Sequence, residues 1–371
     1  MRKLDLLNIP EERKLPLMRK KARRTSEEAG WDLLGTAPVV HLASTTPEGA
    51  PFVRVLNAAL APGRVLFHGA VFGEKTRCLG RPAVVSAFRE VVFVPSYFRD
   101  ARKACPATTL YRSVLAYGVL RDVEDLAAKA EALEALMQKL QPEGGYTPLT
   151  PGEPLYTKDY RSTRVFELVV ERVEGKASLC QDRPPAVRDA VVNGLWERGA
   201  PEDSEAIREI LEESPHPWPE RFLGPDGVEL LTAPWGDELQ EHARLLAGRY
   251  WRQGVSPDDI ERSLRGSAVW VGARDRDGRL IGAARALTDT AWVASIHDVV
   301  VHPDVQGRGV GRALVGLLLD HARLRRCANI HLGTADKERF YAHFGFVRSS
   351  DVQRPYAATS MTLLRDLTSR G

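Results

Sequence analysis

The chain has 371 residues, of which 43% are hydrophobic and 27% charged, and its formal net charge is +3 at pH 7. Its length allows two or three domains, and so small a net charge gives no general preference for nucleic acid or a membrane surface. No stretch has the length of a membrane span, and the basic N-terminus lacks the apolar segment of a signal peptide. We expect a cytoplasmic protein.

The four cysteines, Cys78, Cys105, Cys180 and Cys327, are far apart in the sequence. They form no CxxC pair and no Cys/His spacing typical of a metal site. We therefore expect free thiols in a reducing compartment and no metal ion.

The first 24 residues carry nine Lys or Arg and three Asp or Glu. A nucleic-acid-binding arm is one interpretation, but no aromatic platform or recognition helix accompanies it. A solvated extension, or one lying on a partner subunit, is favoured. Thr25 and Glu28 then fit a capping box that opens a short helix to about Leu34.

Short strand-like runs separated by turn residues follow this helix. The spacing predicts an antiparallel meander that closes into a small barrel. Strands are predicted at 39–44, 51–60, 65–69, 83–88, 112–119 and 164–173, with a helix at about 123–140 and a loop or insertion at 93–109.

Two glycines and a lysine come directly after the third of these strands, in the run from His68 through Gly69 and Gly73 to Lys75. Backbone N–H groups together with the lysine can hold a phosphate. An ordinary glycine-rich turn followed by an exposed lysine is the alternative.

The composition changes after residue 178. Helices are predicted at 186–197 and 204–213, and the proline-rich run at 214–219 cannot continue a helix. We interpret 179–227 as a helical tail of the first domain and a semi-rigid linker.

The remaining residues, 228–371, alternate between strand and helix patterns, which predicts an α/β fold with a mixed sheet. Ser256 and Pro257 have the character of an N-cap and a first helical residue. Strands are predicted at 228–233, 269–273, 280–287, 294–302 and 330–333, helices at 237–251, 256–264 and 336–344, and a closing strand pair runs to about 364.

A loop with three alternating glycines joins an apolar strand, ending at Val301, to a helical pattern. Unpaired N–H groups at the helix start, the helix dipole and the charges of Arg308 and Arg312 favour a phosphate or pyrophosphate there. Glycine allows the ligand to approach the backbone. An ordinary strand-to-helix turn is the alternative, and the loop alone does not decide between them.

Residues 306–312 resemble the acyl-CoA pyrophosphate loop of the GCN5-related N-acetyltransferase (GNAT) family, whose pattern is met by Gln306, Gly309 and Gly311. Residues 339–346 resemble the second signature of the family, and 282–289 and 296–301 resemble its central strands. The resemblance covers 228–371 and implies acetyl-CoA as cosubstrate and a small-molecule amine as acceptor. It implies acetyl-CoA contacts at Val299, Val301, Gln306, Gly307, Arg308, Gly309, Val310, Gly311 and Arg312.

N-acetyl transfer needs an oriented thioester, a neutral amine and a proton for the departing thiolate. The resemblance places Tyr341 to protonate the thiolate, whereas packing beside Phe340 and Phe344 is the alternative. Asp298 and His297 are the candidate bases, and strand alternation predicts that they face opposite sides. Either of the two can equally be a satisfied structural group.

Residues 14–178 resemble the flavin-binding split-barrel proteins related to pyridoxamine 5′-phosphate oxidase, in particular the nitroimidazole-resistance branch. The resemblance rests on the strand pair before Pro51, on 68–75, on 111–114 with Gly118, and on 174–177. It implies FMN at a homodimer interface, although relatives also bind heme, a deazaflavin or nothing. The implied FMN contacts are Arg54, His68, Gly69, Lys75 and Ser113.

We thus predict two domains: an antiparallel β split barrel with flanking helices (1–178) and an α/β mixed-sheet GNAT domain (228–371), joined by 179–227. The first hypothesis is a bifunctional N-acetyltransferase with an FMN-binding, oxidoreductase-type domain. The second keeps the transferase and makes the barrel a flavin-free dimerisation module. The third is an FMN-dependent reductase of nitroaromatic or related acceptors whose GNAT domain senses acyl-CoA.

Overall fold

Seven antiparallel strands from the N-terminal half form one sheet in the computed structural model, which describes residues 20–352. The strand order is β2-β1-β5-β6-β7-β4-β3. Alternate residues of the central strands face a buried core, as expected for a sheet with one covered face. The strands are β1 (Val40–Thr45), β2 (Pro51–Leu56), β3 (Ala59–Ala61), β4 (Arg64–Ala70), β5 (Pro82–Val94), β6 (Thr108–Asp122) and β7 (Thr163–Ser178).

The sheet curls into a half-barrel. Arg54 of β2 forms an ion pair with Glu74, which follows β4, although β2 and β4 lie towards opposite edges of the sheet. Helix α1 (Glu27–Thr36) packs on β6 and β7. Helices α2 (Leu126–Leu140) and α3 (Thr157–Ser162) lie on the part of the sheet formed by β7, β4 and β3. The predicted split-barrel fold class is confirmed.

Helix α1 has its N-cap one residue later than predicted. Ser26, and not Thr25, caps α1 by accepting a hydrogen bond from the Ala29 N–H at 3.1 Å. Thr25 instead donates its backbone N–H to Gly175 O of β7 at 3.1 Å. Contact with the sheet therefore moves the cap by one residue.

Two helices occupy the segment that follows the barrel: α4 (Pro185–Arg198) and α5 (Asp203–Glu212). Their apolar residues lie in one buried cluster that also contains residues of β5, β6 and the C-terminal sheet. The buried Arg188 guanidinium donates to the carbonyls of His216 (3.1 Å) and Pro217 (2.8 Å), which holds the proline-rich run against α4. The division of the chain at 178 and 227 stays a prediction.

Within residues 20–352 the C-terminal sheet has five strands in the order β12-β11-β10-β9-β8, with β11 and β12 parallel and the other pairs antiparallel. Helix α8 covers one face, and α6 and α7 cover the other. This mixed sheet between helices confirms the predicted α/β fold class. The elements are β8 (Glu229–Leu231), α6 (Glu238–Leu246), α7 (Pro257–Arg265), β9 (Val269–Arg274), β10 (Leu280–Thr288), β11 (Val293–Val301), α8 (Val310–Asp320), β12 (Asn329–His331) and α9 (Glu338–Ala342).

Ser256 caps α7 through the Asp259 N–H at 3.1 Å, with Pro257 at the first helical position. None of the helices within residues 20–352 is long and apolar enough to cross a bilayer. The predicted strand pair to about residue 364 and most of the basic N-terminal arm lie outside the described residues.

Candidate active site

The two parallel strands of the C-terminal sheet pair over a short distance and then separate. Within the described residues, β12 pairs with Val293 to Ser295 of β11, whereas β11 continues to Val301. Backbone groups of β11 beyond Ser295 therefore face the gap on that side, and a ligand can bond to them as a strand would.

A pocket of about 1590 Å³ opens at this separation. It brings together residues of β11, the glycine loop, the segment 248–252 and α9. The pocket wall contains all but one of the residues predicted for this site: His297, Asp298, Val299, Val301, Gln306, Gly307, Arg308, Gly309, Gly311, Arg312 and Tyr341. Val310, the remaining member of the set, is buried in the core as the first residue of α8.

The glycine loop has a backbone that favours glycine at two positions. Gly307 (φ 80°) and Gly309 (φ 90°) are in the left-handed region, and a Cβ on Gly309 would lie 3.0 Å from the Pro225 ring. Gly309 immediately precedes α8, so the helix start and its dipole point at the pocket. The exposed Arg308 and Arg312 add positive charge, which suits a phosphate-bearing ligand.

Gln306 has a structural contact in addition to its place on the pocket wall. Its Nε2 donates to Val301 O at 3.1 Å, which ties the start of the loop to the end of β11. A phosphate contact by this side chain would require that bond to be exchanged.

A β-bulge interrupts β11 at Asp298. Ala283 of β10 pairs with Val300, and Arg285 pairs with His297. An advance of two residues along β10 therefore matches an advance of three residues along β11, which is the mark of a bulge. Asp298 has φ 53°, which is uncommon for a residue other than glycine. The bulge shifts the register between His297 and Val300, and the Asp298 carboxylate contacts Arg285, the register partner of His297. The placement of His297 and Asp298 on opposite sides of the strand stays a prediction, with His297 partly exposed and Asp298 buried.

The Asp298 side chain is almost fully buried and surrounded by donors. Its Oδ1 accepts from Trp251 Nε1 (3.2 Å) and Arg252 Nε (2.8 Å), and its Oδ2 accepts from Arg285 Nε (2.6 Å) and Arg252 Nη2. Burial opposes ionisation, yet the two guanidinium groups hold the pKa of this carboxyl below its usual range. Asp298 is thus a stable carboxylate at neutral pH.

The carbonyl of Asp298 is held from the other side by a buried histidine of α6. Trp270 Nε1 donates to His242 Nδ1 at 3.1 Å, so Nε2 carries the imidazole proton and donates to Asp298 O at 3.1 Å. Burial lowers the pKa of His242 to about 4, which keeps the ring neutral and this tautomer in place. Sequence analysis missed His242 and Arg285, because neither residue belongs to a motif or a spacing that signals its partners.

Tyr341 lies on α9 at the opposite wall. Burial, with smaller effects from Tyr250 and Asp336, raises the pKa of its phenol to about 12. Its ring packs edge-on against Phe340 and Phe346. The phenol therefore keeps its proton at neutral pH and can donate it within the pocket.

His297 is half-buried on the pocket wall. Burial, followed by the positive charge of Arg285, lowers the pKa of its imidazole below 6.5, although the charge of Asp298 opposes this. The ring is consequently neutral at pH 7 and can accept a proton.

A second, cationic cluster lies at the curled edge of the N-terminal sheet and contains four of the residues predicted for FMN. Lys75 Nζ donates to His68 O at 3.0 Å, and its chain crosses Gly69, where a Cβ would meet Lys75 atoms at 2.6 Å. Burial and the neighbouring charge of Arg54 lower the pKa of Lys75. Two like charges held close together favour an anion near them, and the Glu74 carboxylate already pairs with Arg54.

Ser113, the fifth predicted FMN residue, lies on β6 between Phe88 of β5 and Lys176 of β7. Within residues 20–352 it has no hydrogen bond or ion pair with the cationic cluster. Nor do the described residues contain a group of three or more His, Cys, Asp or Glu side chains placed to hold a metal ion.

The fold and the two sites define a chain that joins a split barrel to an acyltransferase-type α/β domain. Residues 26–177 match the sequence model of the family described as pyridoxamine 5′-phosphate oxidase, and residues 226–346 match that of the acetyltransferase (GNAT) family. The chain belongs to the GNAT family through its C-terminal region, and its N-terminal region matches the pyridoxamine 5′-phosphate oxidase model. Both resemblances seen in the sequence are confirmed.

Individual proteins are similar to parts of this chain. Glucosamine 6-phosphate N-acetyltransferase 1 of Oryza sativa subsp. japonica is 35% identical over 145 residues, which are 34% of this chain and 87% of that protein. An uncharacterized N-acetyltransferase, ycf52, of Pyropia yezoensis is 32% identical over 25% of this chain and 55% of its own length. The structure of a putative 5-nitroimidazole antibiotic resistance protein from Bacteroides thetaiotaomicron is 17% identical, covering 41% of this chain and 83% of that one, with a TM-score of 0.34. The chain spans about half the length of several curated relatives that it matches.

Proposed function

We propose that the protein is an acetyl-CoA-dependent N-acetyltransferase acting on a small-molecule or amino-acid amine, fused to an FMN-binding domain. The observation that carries the proposal is that one pocket is lined by the glycine loop, the unpaired end of β11 and, on the opposite wall, Tyr341. The relative from Oryza sativa is named for glucosamine 6-phosphate, a small molecule with an amino group, which fits this acceptor class.

The chemistry follows from the order of these groups along the pocket. The loop 306–312 would hold the pyrophosphate, and the backbone of β11 at Val299 and Val301, which β12 does not pair with, would hold the pantetheine arm as a neighbouring strand does. The neutral amine attacks the thioester carbonyl, a C–N bond forms, and the C–S bond breaks. His297 takes the proton lost by nitrogen, directly or through a water, and Tyr341 gives its proton to the departing thiolate.

The acetyl-CoA part is tested by Gly309→Glu. A side chain at φ 90° is strained and would meet Pro225, and a carboxylate in the loop repels phosphate. We expect acetyl-CoA affinity to fall by about 100-fold or more in titration calorimetry. The matched control is Gly278→Glu, at φ 82° in an exposed β9–β10 turn with open space around it. Unchanged binding in Gly309→Glu would contradict the loop assignment.

The flavin part rests on the cluster of Arg54, His68 and Lys75, in which the Lys75 side chain lies against the backbone of Gly69. We infer that these groups would hold the FMN phosphate. Exposed apolar residues on the same sheet, Val53, Val55 and Phe88, fit the homodimer that the resemblance implies. A reductase activity and a cytoplasmic location remain predictions.

Flavin extraction with an absorbance spectrum tests this part. We expect the purified protein, or protein incubated with FMN, to retain flavin, and Lys75→Gln to weaken FMN binding by about tenfold through loss of one charged phosphate contact. Lys158→Gln, on the exposed side of α3, serves as the control. A wild-type protein that retains no FMN would favour the flavin-free dimerisation module.

A further inference from the structure

We propose that Asp298 is a positioning residue of the acetyl-transfer site. Its carboxylate fixes the bulge of β11 against the segment 248–252 and takes no proton from the amine. The inference rests on the proposed acetyl transfer and assigns the base role to His297.

The acceptor capacity of the carboxylate is fully used. A carboxylate has about four lone-pair sites, and four N–H donors occupy those of Asp298. They come from Trp251, from two nitrogens of Arg252, and from Arg285, with distances of 3.2, 2.8 and 2.6 Å for three of them. A general base needs a free lone pair within reach of the proton it abstracts, and this geometry leaves none.

The same contacts join the two walls of the pocket. Arg252 ends a short 3-10 helix that begins at Tyr250, and both Arg252 and Arg285 also donate to Ser263 of α7, to its hydroxyl and its carbonyl, each at 3.2 Å. Tyr250 in turn accepts the Ala335 N–H at 3.0 Å, on the segment leading to α9. Asp298 therefore links the strand that faces the thioester to the wall that carries the proton donor.

The backbone at Asp298 depends on these contacts. A φ of 53° is unfavourable for most residues with a side chain and persists where its surroundings hold it. Here the carboxylate is held by the two arginines, and the carbonyl is held by His242 at 3.1 Å. Asparagine tolerates this region as well, so Asp298→Asn keeps the backbone but places an NH₂ group against a guanidinium.

The charged groups that face His297 are Arg285 of β10, Arg252 of the 3-10 helix and Asp298 itself. The two arginines lower the pKa of the imidazole and the carboxylate raises it. Activity that depends on neutral His297 falls as the pH drops through a value below 6.5. This fall in activity is the acid limb of the pH profile. Removing the negative charge at Asp298 must move it to lower pH.

The experiment is the pH profile of kcat/KM for the full-length wild type, Asp298→Asn and His297→Gln with one accepted amine. We expect kcat/KM of Asp298→Asn to fall by about 100-fold, because the reacting groups are no longer held in place. The acid limb of its pH profile should persist and move to lower pH. His297→Gln should lose the limb. Loss of the limb in Asp298→Asn, with retention in His297→Gln, would identify Asp298 as the base and overturn the inference.

A second measurement is independent of turnover. Hydrogen–deuterium exchange in Asp298→Asn and Arg252→Lys should increase over 248–252 and 296–301, because the contacts between Asp298 and Arg252 that hold these segments together are weakened. The control is Asp203→Asn, which alters another buried aspartate paired with an arginine, Arg198, outside the pocket. Unchanged exchange over both segments would overturn the positioning role. A wild type that binds no acetyl-CoA in calorimetry would instead contradict the proposed function.

Discussion

Tyr341 illustrates how burial prepares a side chain for a chemical task. Its phenol is removed from water and faces Tyr250 and Asp336, which raises its pKa to about 12 and keeps it protonated at neutral pH. In the proposed reaction, a phenol that is still protonated at neutral pH has a proton to give to the thiolate as the C–S bond breaks.

At the residue scale we predict that Tyr341→Phe lowers kcat by about 100-fold or more, with acetyl-CoA affinity changed by less than about threefold, because only the transition-state proton transfer is lost. Steady-state kinetics together with calorimetry measure the two quantities. Tyr156→Phe removes a phenol bonded to Thr147 O in the N-terminal region and is the matched control. Equal turnover in Tyr341→Phe and the control would remove Tyr341 from the mechanism.

At the scale of elements, α5 connects the two sheets through adjacent residues of opposite charge. Glu209, almost fully buried, accepts from Arg89 of β5 (2.7 Å) and Arg112 of β6 (2.8 Å). Arg208, equally buried, pairs with Glu238 at the start of α6 at 2.7 Å. One helical turn thus contacts both halves of the chain.

We predict that Glu209→Ala lowers the free energy of unfolding by about 3 kcal/mol, because it leaves two arginines without their buried partner. The arginines are partly exposed to water, so the lower end of the range for broken buried pairs applies. Urea titration measures the change, and exposed Glu205→Ala on the same helix should cost less than about 0.5 kcal/mol. Similar small effects for both variants would show that α5 does not stabilise the junction.

For the whole molecule, the decisive feature is the buried cluster shared by the barrel, α4, α5 and the C-terminal sheet. Val92 and Leu110 of the barrel, Trp196 and Ile207 of the middle helices, and Leu314 of α8 all belong to it. A junction buried in this way behaves more like a common core than like a flexible linker.

We predict a single cooperative thermal transition for the full chain in differential scanning calorimetry, and poor solubility of a fragment ending at residue 178, whose Val92 and Leu110 would lose their cover. Calorimetric and van't Hoff enthalpies should agree. Two resolved transitions, or a soluble and folded 1–178 fragment, would contradict a shared core and restore the linker interpretation.

Much of the fold could be predicted because its signals are local. Alternation along β1 and β5, the Ser256-Pro257 start of α7 and the glycine spacing at 306–312 each depend on a few neighbouring residues. Boundaries were less accurate where the sheet intervened, as at Thr25, or where strands extended beyond their patterned part, as in β6.

The sequence by itself determined the two fold classes, the loop before α8 and the residues that surround one pocket. The fold classes and the loop follow from periodicity, turn chemistry and charge within short stretches, and the pocket residues follow from the resemblance to the GNAT family. Only the tertiary structure decided what Asp298 contacts, because Arg252 and Arg285 are 46 and 13 residues away and a bulge without a sequence signal turns the carboxylate towards them. It also decided that the apolar residues of α4 and α5 are buried in a cluster with residues of both sheets, because burial depends on which surfaces meet and not on the composition of the segment.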